Sequence, residues 1–486
     1  MDRPGKGPGE RSSRTRATAH ELARYEALFS ARTRAMKSSA MREMMALTER
    51  PDVISLAGGL PDTTTFDPEL YAKLMAHVAA DSTARALQYG PTEGMAATVD
   101  CIVQVMAAEG TSVDPQEIIV TTGGQQVIDL VCKALIDPGD VIVAEAPTYP
   151  GAVPTFGAYQ AQVAQIEMDG DGMPIDELER TLDRLAAEGR RPKFIYTIPN
   201  FQNPGGVTMS LPRRRRLVEV ARERELLVLE DNPYGLLRYE GDPLPTLYSL
   251  DAQAVGGRGA ADLVIYLGTF SKILSPGLRL GWAVAPRPVL EKLNLGKQGA
   301  DLCSSPVTQL FVAAYFAEGG TEQPRWLDYL DSLRALYRRR RDVMLEALGE
   351  HFGEHARWTQ PQGGLFIWAT LDDRIDTTDL LALAQESERV AFVPGRAAYM
   401  DGRSGSSSMR LNFAGVPDED IREGVRRIGK VVREQVGLYG SLTGSSRAAR
   451  ARRGQEQASA GEDAELADVV ELPRREQGAA RRRRDQ

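Results

Sequence analysis

Leu267-Gly268-Thr269-Phe270-Ser271-Lys272-Ile273-Leu274-Ser275-Pro276-Gly277-Leu278-Arg279-Leu280-Gly281-Trp282 decides the reading of this chain. It places one lysine, Lys272, after an apolar run and between the hydroxyls of Thr269 and Ser271, with Arg279 a turn or two downstream. A solvated surface lysine is the default for any single lysine. Here the preceding strand, the hydroxyls and the arginine argue otherwise. They suit a small molecule that carries both an aldehyde and a phosphate: the amine bonds the aldehyde as a Schiff base, and the hydroxyls and guanidinium take the phosphate.

Composition narrows the alternatives. The chain has 486 residues, enough for roughly three domains at about 150 residues each, and is 42% hydrophobic. Its 59 basic and 67 acidic residues leave a net charge of −8, which argues against nucleic acid as the main ligand. Cys101, Cys132 and Cys303 form no CxxC pair; that fits a reducing cytoplasm and excludes a cysteine metal cluster. His20, His77, His351 and His355 lie outside every motif below, so a histidine hydrolase or zinc enzyme has little to work with. No apolar run approaches the ~20 residues needed to cross a bilayer. The N-terminus carries arginines but no apolar core of a secretory signal.

Between two polar ends, short apolar runs alternate with amphipathic stretches. Strands are predicted at Ile118–Thr122, Val141–Glu145, Phe194–Ile198, Leu226–Glu230, Leu263–Gly268 and Leu280–Ala285, and helices at Val127–Ile136 and Arg213–Glu225. Continuous Val/Ile/Leu runs suit parallel strands covered on both faces, giving an α/β class. From about Arg325 the pattern changes: a long helix over Trp326–Leu348, strands at Trp358, Phe366–Trp368 and Val390–Val393, and a last helix over Asp418–Val436. The expected division is a disordered extension 1–33, an arm 34–67 joining the smaller domain, a large sheet domain 68–324, a small α+β domain 325–440 and a disordered charged tail 441–486 ending in Arg481–Arg484.

In open α/β sheets, ligands bind beyond the carboxyl ends of the strands, and the polar motifs fall there. Thr121-Thr122-Gly123-Gly124-Gln125-Gln126 follows one strand and opens a helix, where backbone N–H groups favour a phosphate; an ordinary strand-to-helix turn is the bland alternative. Tyr149 ends the next strand and can stack on a flat ring, or be a plain core tyrosine. Asn203, before a proline in Pro199–Gly206, can donate to a phenolate oxygen. Asp231 closes the Leu226–Leu229 run, and a carboxylate buried there needs a partner; a protonated pyridine nitrogen is suitable, a helix cap before Pro233 the rival. Tyr234 is placed to reach a phenolic oxygen. Arg410, within Met409-Arg410-Leu411-Asn412-Phe413, suits either an internal salt bridge or a substrate α-carboxylate gripped at two points. Aldehyde, phosphate, pyridine and phenol together describe pyridoxal 5'-phosphate. No one motif decides; their order and joint presence do.

That set resembles the class I/II aminotransferases of pyridoxal-phosphate fold type I, over about Arg34 to Val436. Met41-Arg42-Glu43-Met44-Met45-Ala46-Leu47-Thr48-Glu49-Arg50-Pro51, Ser55-Leu56-Ala57-Gly58-Gly59-Leu60-Pro61, Leu87-Gln88-Tyr89-Gly90-Pro91-Thr92-Glu93-Gly94 and Ala391-Phe392-Val393-Pro394-Gly395 are similar to the 2-aminoadipate (LysN-like) and kynurenine branch. The resemblance implies Lys272 as the Schiff-base lysine that then moves the proton, and Asp231 on the pyridine nitrogen. It implies Asn203 and Tyr234 on the ring oxygen, Tyr149 stacked on the ring, and Gly124, Gln125, Thr269, Ser271 and Arg279 on the phosphate. Tyr89 would reach the phosphate held by a second subunit, making the active unit a homodimer. Arg410 would bind the α-carboxylate, with Gly59 and Asn203 beside the substrate and Arg42 at its side chain. Thr269 stands where many relatives have Ser, which keeps the hydroxyl. The implied reaction is ping-pong transfer of an amino group to a 2-oxo acid such as 2-oxoglutarate, in the cytoplasm, with neither membrane nor nucleic acid as partner. A β-lyase or decarboxylase on the same fold stays open, and so does a pyridoxal-phosphate-sensing regulator, although about 35 residues are too few for an attached DNA-binding domain. The donor amino acid is undetermined.

Overall fold

The computed structural model describes residues 24–36, 52–256, 261–320 and 322–442. Arg42 and the Met41–Pro51 motif lie outside these residues, as do residues 1–23 of the extension and 443–486 of the charged tail. The described residues as far as Arg433 form one unit. Within the stretch expected to be disordered, a helix begins at Ala31 and runs to Ala35, because the Ser30 side chain caps it by accepting from the Thr33 N–H at 3.2 Å.

The strands in chain order are β1 (Ile54–Ser55), β2 (Ile118–Thr121), β3 (Val141–Ala146), β4 (Gln162–Glu167), β5 (Phe194–Thr197), β6 (Leu227–Asp231) and β7 (Val264–Thr269). They continue with β8 (Gly281–Val284), β9 (Ala356–Trp358), β10 (Phe366–Leu371), β11 (Val390–Ala391), β12 (Val393–Pro394) and β13 (Ser408–Asn412). A seven-stranded sheet has the order β2-β8-β7-β6-β5-β3-β4. Neighbours from β4 to β7 run parallel, and β8 runs antiparallel to both β7 and β2. A second, antiparallel sheet has the order β12-β13-β10-β9, and β1 pairs with β11 in parallel. The class is therefore α/β with a mostly parallel main sheet and a smaller antiparallel one, as read from the sequence.

The six apolar runs all became strands, their ends moved by a residue. Each residue of β2, β3, β5, β7 and β8 is buried, which is why their patterns are continuous rather than alternating. The apolar pattern did not reveal β4. It lies at the sheet edge with β3 as its one partner, and of its residues only Ile166 is buried. The single strand predicted over Val390–Val393 is a correction: it divides at Phe392, β11 joining β1 and β12 joining β13. A short buried run serves two sheets equally well, and its hydrophobicity gives no sign of the break.

Glycine sets how closely β7 and β8 approach. Gly268 is the register partner of Trp282, and a β-carbon at Gly268 would sit inside the Trp282 indole. Trp282 is 1% exposed and its ring lies 5.0 Å from that of Phe270. Gly281 is similarly constrained, since a β-carbon there would lie 2.8 Å from the backbone of Gly123 and Gly124. The missing β-carbon of Gly281 lets β8 press against the turn that opens the Gly124–Leu135 helix, and that of Gly268 leaves room for the Trp282 indole. Replacing Gly268 by Ala should therefore destabilise the fold by about 1–3 kcal/mol through overpacking, read as a lower denaturant midpoint with little change in slope.

Candidate active site

The carboxyl ends of β3, β5, β6 and β7 and the start of the helix after β2 open on one cavity of about 290 Å³. Gly124, Gln125, Tyr149, Asn203, Asp231, Tyr234, Thr269, Ser271, Lys272 and Arg279 all line it. A larger hollow of about 470 Å³ lies elsewhere, along Gly170–Asp171, Gly206–Leu211 and Thr359–Gln362, and its lining contains neither lysine nor arginine.

Lys272 follows β7 and projects into the cavity, where its Nζ donates to the Gly59 carbonyl at 2.7 Å. Burial, followed by the charges of Arg410 and Arg279, brings its pKa down to about 8. An amine so adjusted surrenders its proton far more readily than a surface lysine, as a nucleophile and proton carrier must. Asp231 ends β6, next to β7 with Leu267 as its register partner. It is 5% exposed. Burial pushes its pKa up to about 6, and a bond from the Tyr196 hydroxyl at 2.6 Å opposes that rise. Near neutral pH this carboxylate is ionised in a buried place, the state that a protonated ring nitrogen would satisfy.

One end of the cavity is a helix terminus. Gly123, at φ 81°, precedes the Gly124–Leu135 helix, and no side chain caps the first turn. Gly124 and Gln125 of that first turn line the cavity, with the helix dipole behind them. Arg279 holds the left-handed conformation at φ 52°, which lays its guanidinium along the same turn: Nη2 lies 3.4 Å from the Thr122 carbonyl. A β-carbon on Gly123 would meet that Nη2 at 2.5 Å, a contact the flexible guanidinium end can relieve, so it is the backbone angle that calls for glycine. Thr269 Oγ1 donates to Ser271 Oγ at 2.9 Å. The Gln125 side-chain amide is committed elsewhere, donating to the Gly151 carbonyl at 3.1 Å and Thr155 Oγ1 at 2.8 Å.

On the opposite wall, Asn203 Nδ2 donates to the Tyr234 hydroxyl at 3.3 Å. Arg410 arrives from the other sheet, on β13 between Trp368 and Val393 in register. It is 1% exposed, donates to Asn203 Oδ1 at 3.0 Å and to the Ala57 carbonyl at 2.7 Å, and stacks 4.3 Å from the Phe366 ring. Burial lowers its pKa to about 10, and it stays charged at neutral pH. Residues 54–60 are strung alongside: β1 pairs with β11, the Leu56 carbonyl accepts from Asn412 N–H at 2.8 Å, and Gly59 ends above Lys272.

The donors fit pyridoxal 5'-phosphate at each functional group: an amine for the aldehyde, an acid for the pyridine, an amide and a phenol for the ring oxygen, a ring to stack, and a helix start with hydroxyls and a guanidinium for the phosphate. Tyr89 is not part of this cavity; it is 79% exposed. Residues that sequence reasoning missed are Leu60, Ile128, Ile198 and Pro276, which line the walls, and Tyr196, which bonds Asp231. A tyrosine within an apolar strand was a usable sign, because a buried hydroxyl needs a partner.

Comparison with known proteins agrees with this geometry. Residues 51–428 match the family description "Aminotransferase class I and II". An aromatic-amino-acid aminotransferase of Thermococcus litoralis is 42% identical over 414 residues, 85% of this chain and 95% of that protein. A 2-aminoadipate transaminase of Thermus thermophilus is 39% identical over 403 residues, covering 83% and 96%. The crystal structure of LysN, an α-aminoadipate aminotransferase from Thermus thermophilus complexed with N-(5'-phosphopyridoxyl)-L-leucine, superposes with a TM-score of 0.77 at 36% identity, covering 85% of this chain and 99% of that one.

The buried amine has a consequence for the unloaded chain. With the folded pKa near 8 and the ordinary value at 10.5, the folded state disfavours the proton that the unfolded chain keeps. Below about pH 8 both states hold that proton and the folded one carries the cost in full; above about 10.5 neither holds it and the cost is gone. Lys272→Met should thus raise stability at pH 7 by about 1–3 kcal/mol, with the gap to the parent closing between pH 8 and 10.5, as read by denaturant unfolding at each pH.

Proposed function

We propose that this chain, which belongs to the class I and II aminotransferases and is a pyridoxal-phosphate-dependent transaminase, uses Lys272 as its catalytic residue and the cavity around it for both half-reactions. The observation that carries the assignment is the juxtaposition of a part-buried amine of lowered pKa with a buried acid at the adjacent strand end. Pyridoxal phosphate, when bound, supplies an aldehyde that bonds an amine and a ring that accepts electrons from the substrate α-carbon. Asp231 would keep the ring nitrogen protonated, Asn203 and Tyr234 would hold the ring oxygen, and Tyr149 would pack on the ring. Gly124 and Gln125, with Thr269, Ser271 and Arg279, would hold the phosphate.

In this reading, the amino acid's carboxylate docks on Arg410, which Phe366 and Asn203 hold in place. That fixes the α-carbon relative to Lys272 and gives proximity in place of diffusion. Lys272 Nζ, neutral once displaced, takes the α-proton and returns it. The Gly59 carbonyl gives the free amine a hydrogen-bond acceptor within the cavity. The amino group then passes to a 2-oxo acid, for which 2-oxoglutarate is the proposed acceptor. The similarity to aromatic, 2-aminoadipate and kynurenine aminotransferases favours a bulky or acidic donor over a small one, and Arg42 is the proposed contact for its far end. Active-site assembly as a homodimer, with Tyr89 of a second copy at the phosphate, and a cytoplasmic location complete the proposal; Tyr89 is exposed as such a contact requires. Among the described residues, no helix is long and apolar enough to cross a membrane.

A panel of amino donors with 2-oxoglutarate should yield glutamate from at least one of the 2-aminoadipate, aromatic or kynurenine-type donors. Lys272→Ala should lose that activity and the absorbance near 400–430 nm together. Glutamate formation by the variant, or its absence from the parent with every donor, would remove the assignment. Tyr89→Phe should weaken cofactor retention by about tenfold, the worth of one charge-assisted hydrogen bond at about 1.5 kcal/mol, while the protein sediments as a dimer. Unaltered retention would detach Tyr89 from the phosphate.

A further inference from the structure

Behind the cavity lies a second buried acid that none of these roles uses. Glu145, near the end of β3, is 1% exposed. Its side chain accepts from Thr197 Oγ1, from the Ile198 N–H at 3.2 Å and from Gln202 Nε2 at 3.2 Å. All three donors come from one short stretch of chain, the end of β5 and the loop that follows it.

Gln202, also 1% exposed, carries the contact onward. The same Nε2 donates to the Pro147 carbonyl at 2.8 Å, and its Oε1 accepts from the Gly205 N–H at 2.7 Å. One amide therefore ties the turn that leads to Tyr149 to the turn that contains Asn203. In its ionised form a carboxylate suits this place because it only accepts: it can take a hydroxyl, an N–H and an amide N–H at once. An amide at position 145 would have to aim its own NH₂ at one of those donors. Burial raises the Glu145 pKa to about 7, and the Asp231 charge adds to that rise against the three hydrogen bonds. This is a demanding place for a carboxylate whose sole task is to fill space.

We propose that Glu145 is a positioning residue for the reaction: through Gln202 it fixes the spacing between the Tyr149 and Asn203 turns, and hence the seat of the cofactor ring. The inference rests on the transaminase reading of the Lys272 cavity. Asn203 makes the link to substrate as well, since its Oδ1 accepts from Arg410, so a displaced turn disturbs both the ring oxygen and the carboxylate site.

The test compares full-length holoenzyme carrying Glu145→Gln, Gln202→Leu, or both. The readouts are kcat and KM for glutamate formation, the visible circular dichroism of bound cofactor, and the thermal midpoint. Each single change should lower kcat by about 10- to 100-fold, the usual result of a misplaced reacting group, and weaken the circular dichroism per bound cofactor. The double variant should fall little below the worse single one, because both act through one contact. Unchanged kcat and dichroism in Glu145→Gln would overturn the proposal. So would losses that multiply in the double variant, or losses that merely follow the unfolded fraction and vanish on cooling. If Glu145→Gln does not fold, Gln202→Leu decides alone: a normal dichroic band and kcat there overturn the link. A parent protein without the cofactor band would overturn the transaminase reading itself, and this one with it, whereas normal variants of an active parent overturn only this one.

Discussion

Crowding of positive charge around one cavity is the constraint on which this site depends. Lys272, Arg279 and Arg410 approach one cavity, and the charges of the two arginines help to lower the pKa of the lysine. Among the described residues lining that cavity, Asp231 is the one acid. Such a site is poorly satisfied by itself and well satisfied by an occupant with a phosphate at one end and a carboxylate at the other. The same imbalance that weakens the bare fold is what draws the ligands in and readies the amine.

Strand register turns this electrostatic requirement into geometry. Because β6 and β7 pair in parallel, Asp231 and the segment leading to Lys272 emerge from the same end of the sheet. Because β8 runs the other way, Gly281 is brought against Gly123 and the helix start. The second sheet contributes Arg410, and the β1 segment contributes the Gly59 carbonyl. The site thus draws on residues from position 57 to position 412, yet its chemical groups are set by a few strand ends.

Much of this was legible in the sequence. The apolar runs that became β2, β3, β5, β6, β7 and β8 are continuous because both faces of those strands are covered, and the polar motifs after them were found for the same reason. Lys272, Asp231, Asn203, Tyr149 and Tyr234 do share a cavity. What escaped was of two kinds. The edge strand β4 and the break at Phe392 depend on which neighbour each strand finds, and hydrophobic pattern does not encode that choice. Tyr196, Glu145 and Gln202 sit behind the chemical groups, where a polar atom in an apolar strand looks like any other core position until its partners are known. The side chain of Gln125 shows the converse: the residue lines the cavity, but its amide is committed to Gly151 and Thr155.

Arg410 is already occupied before any amino acid arrives. Donors of its guanidinium are already engaged, among them with Asn203 and the Ala57 carbonyl. An incoming carboxylate must share or exchange those bonds, so its net gain is smaller than the strength of the new ion pair alone. The group common to all amino acids then contributes mainly orientation, and selection among them falls to whatever meets the rest of the molecule. A binding pocket organised this way is readily retuned from one donor to another without rebuilding its catalytic half.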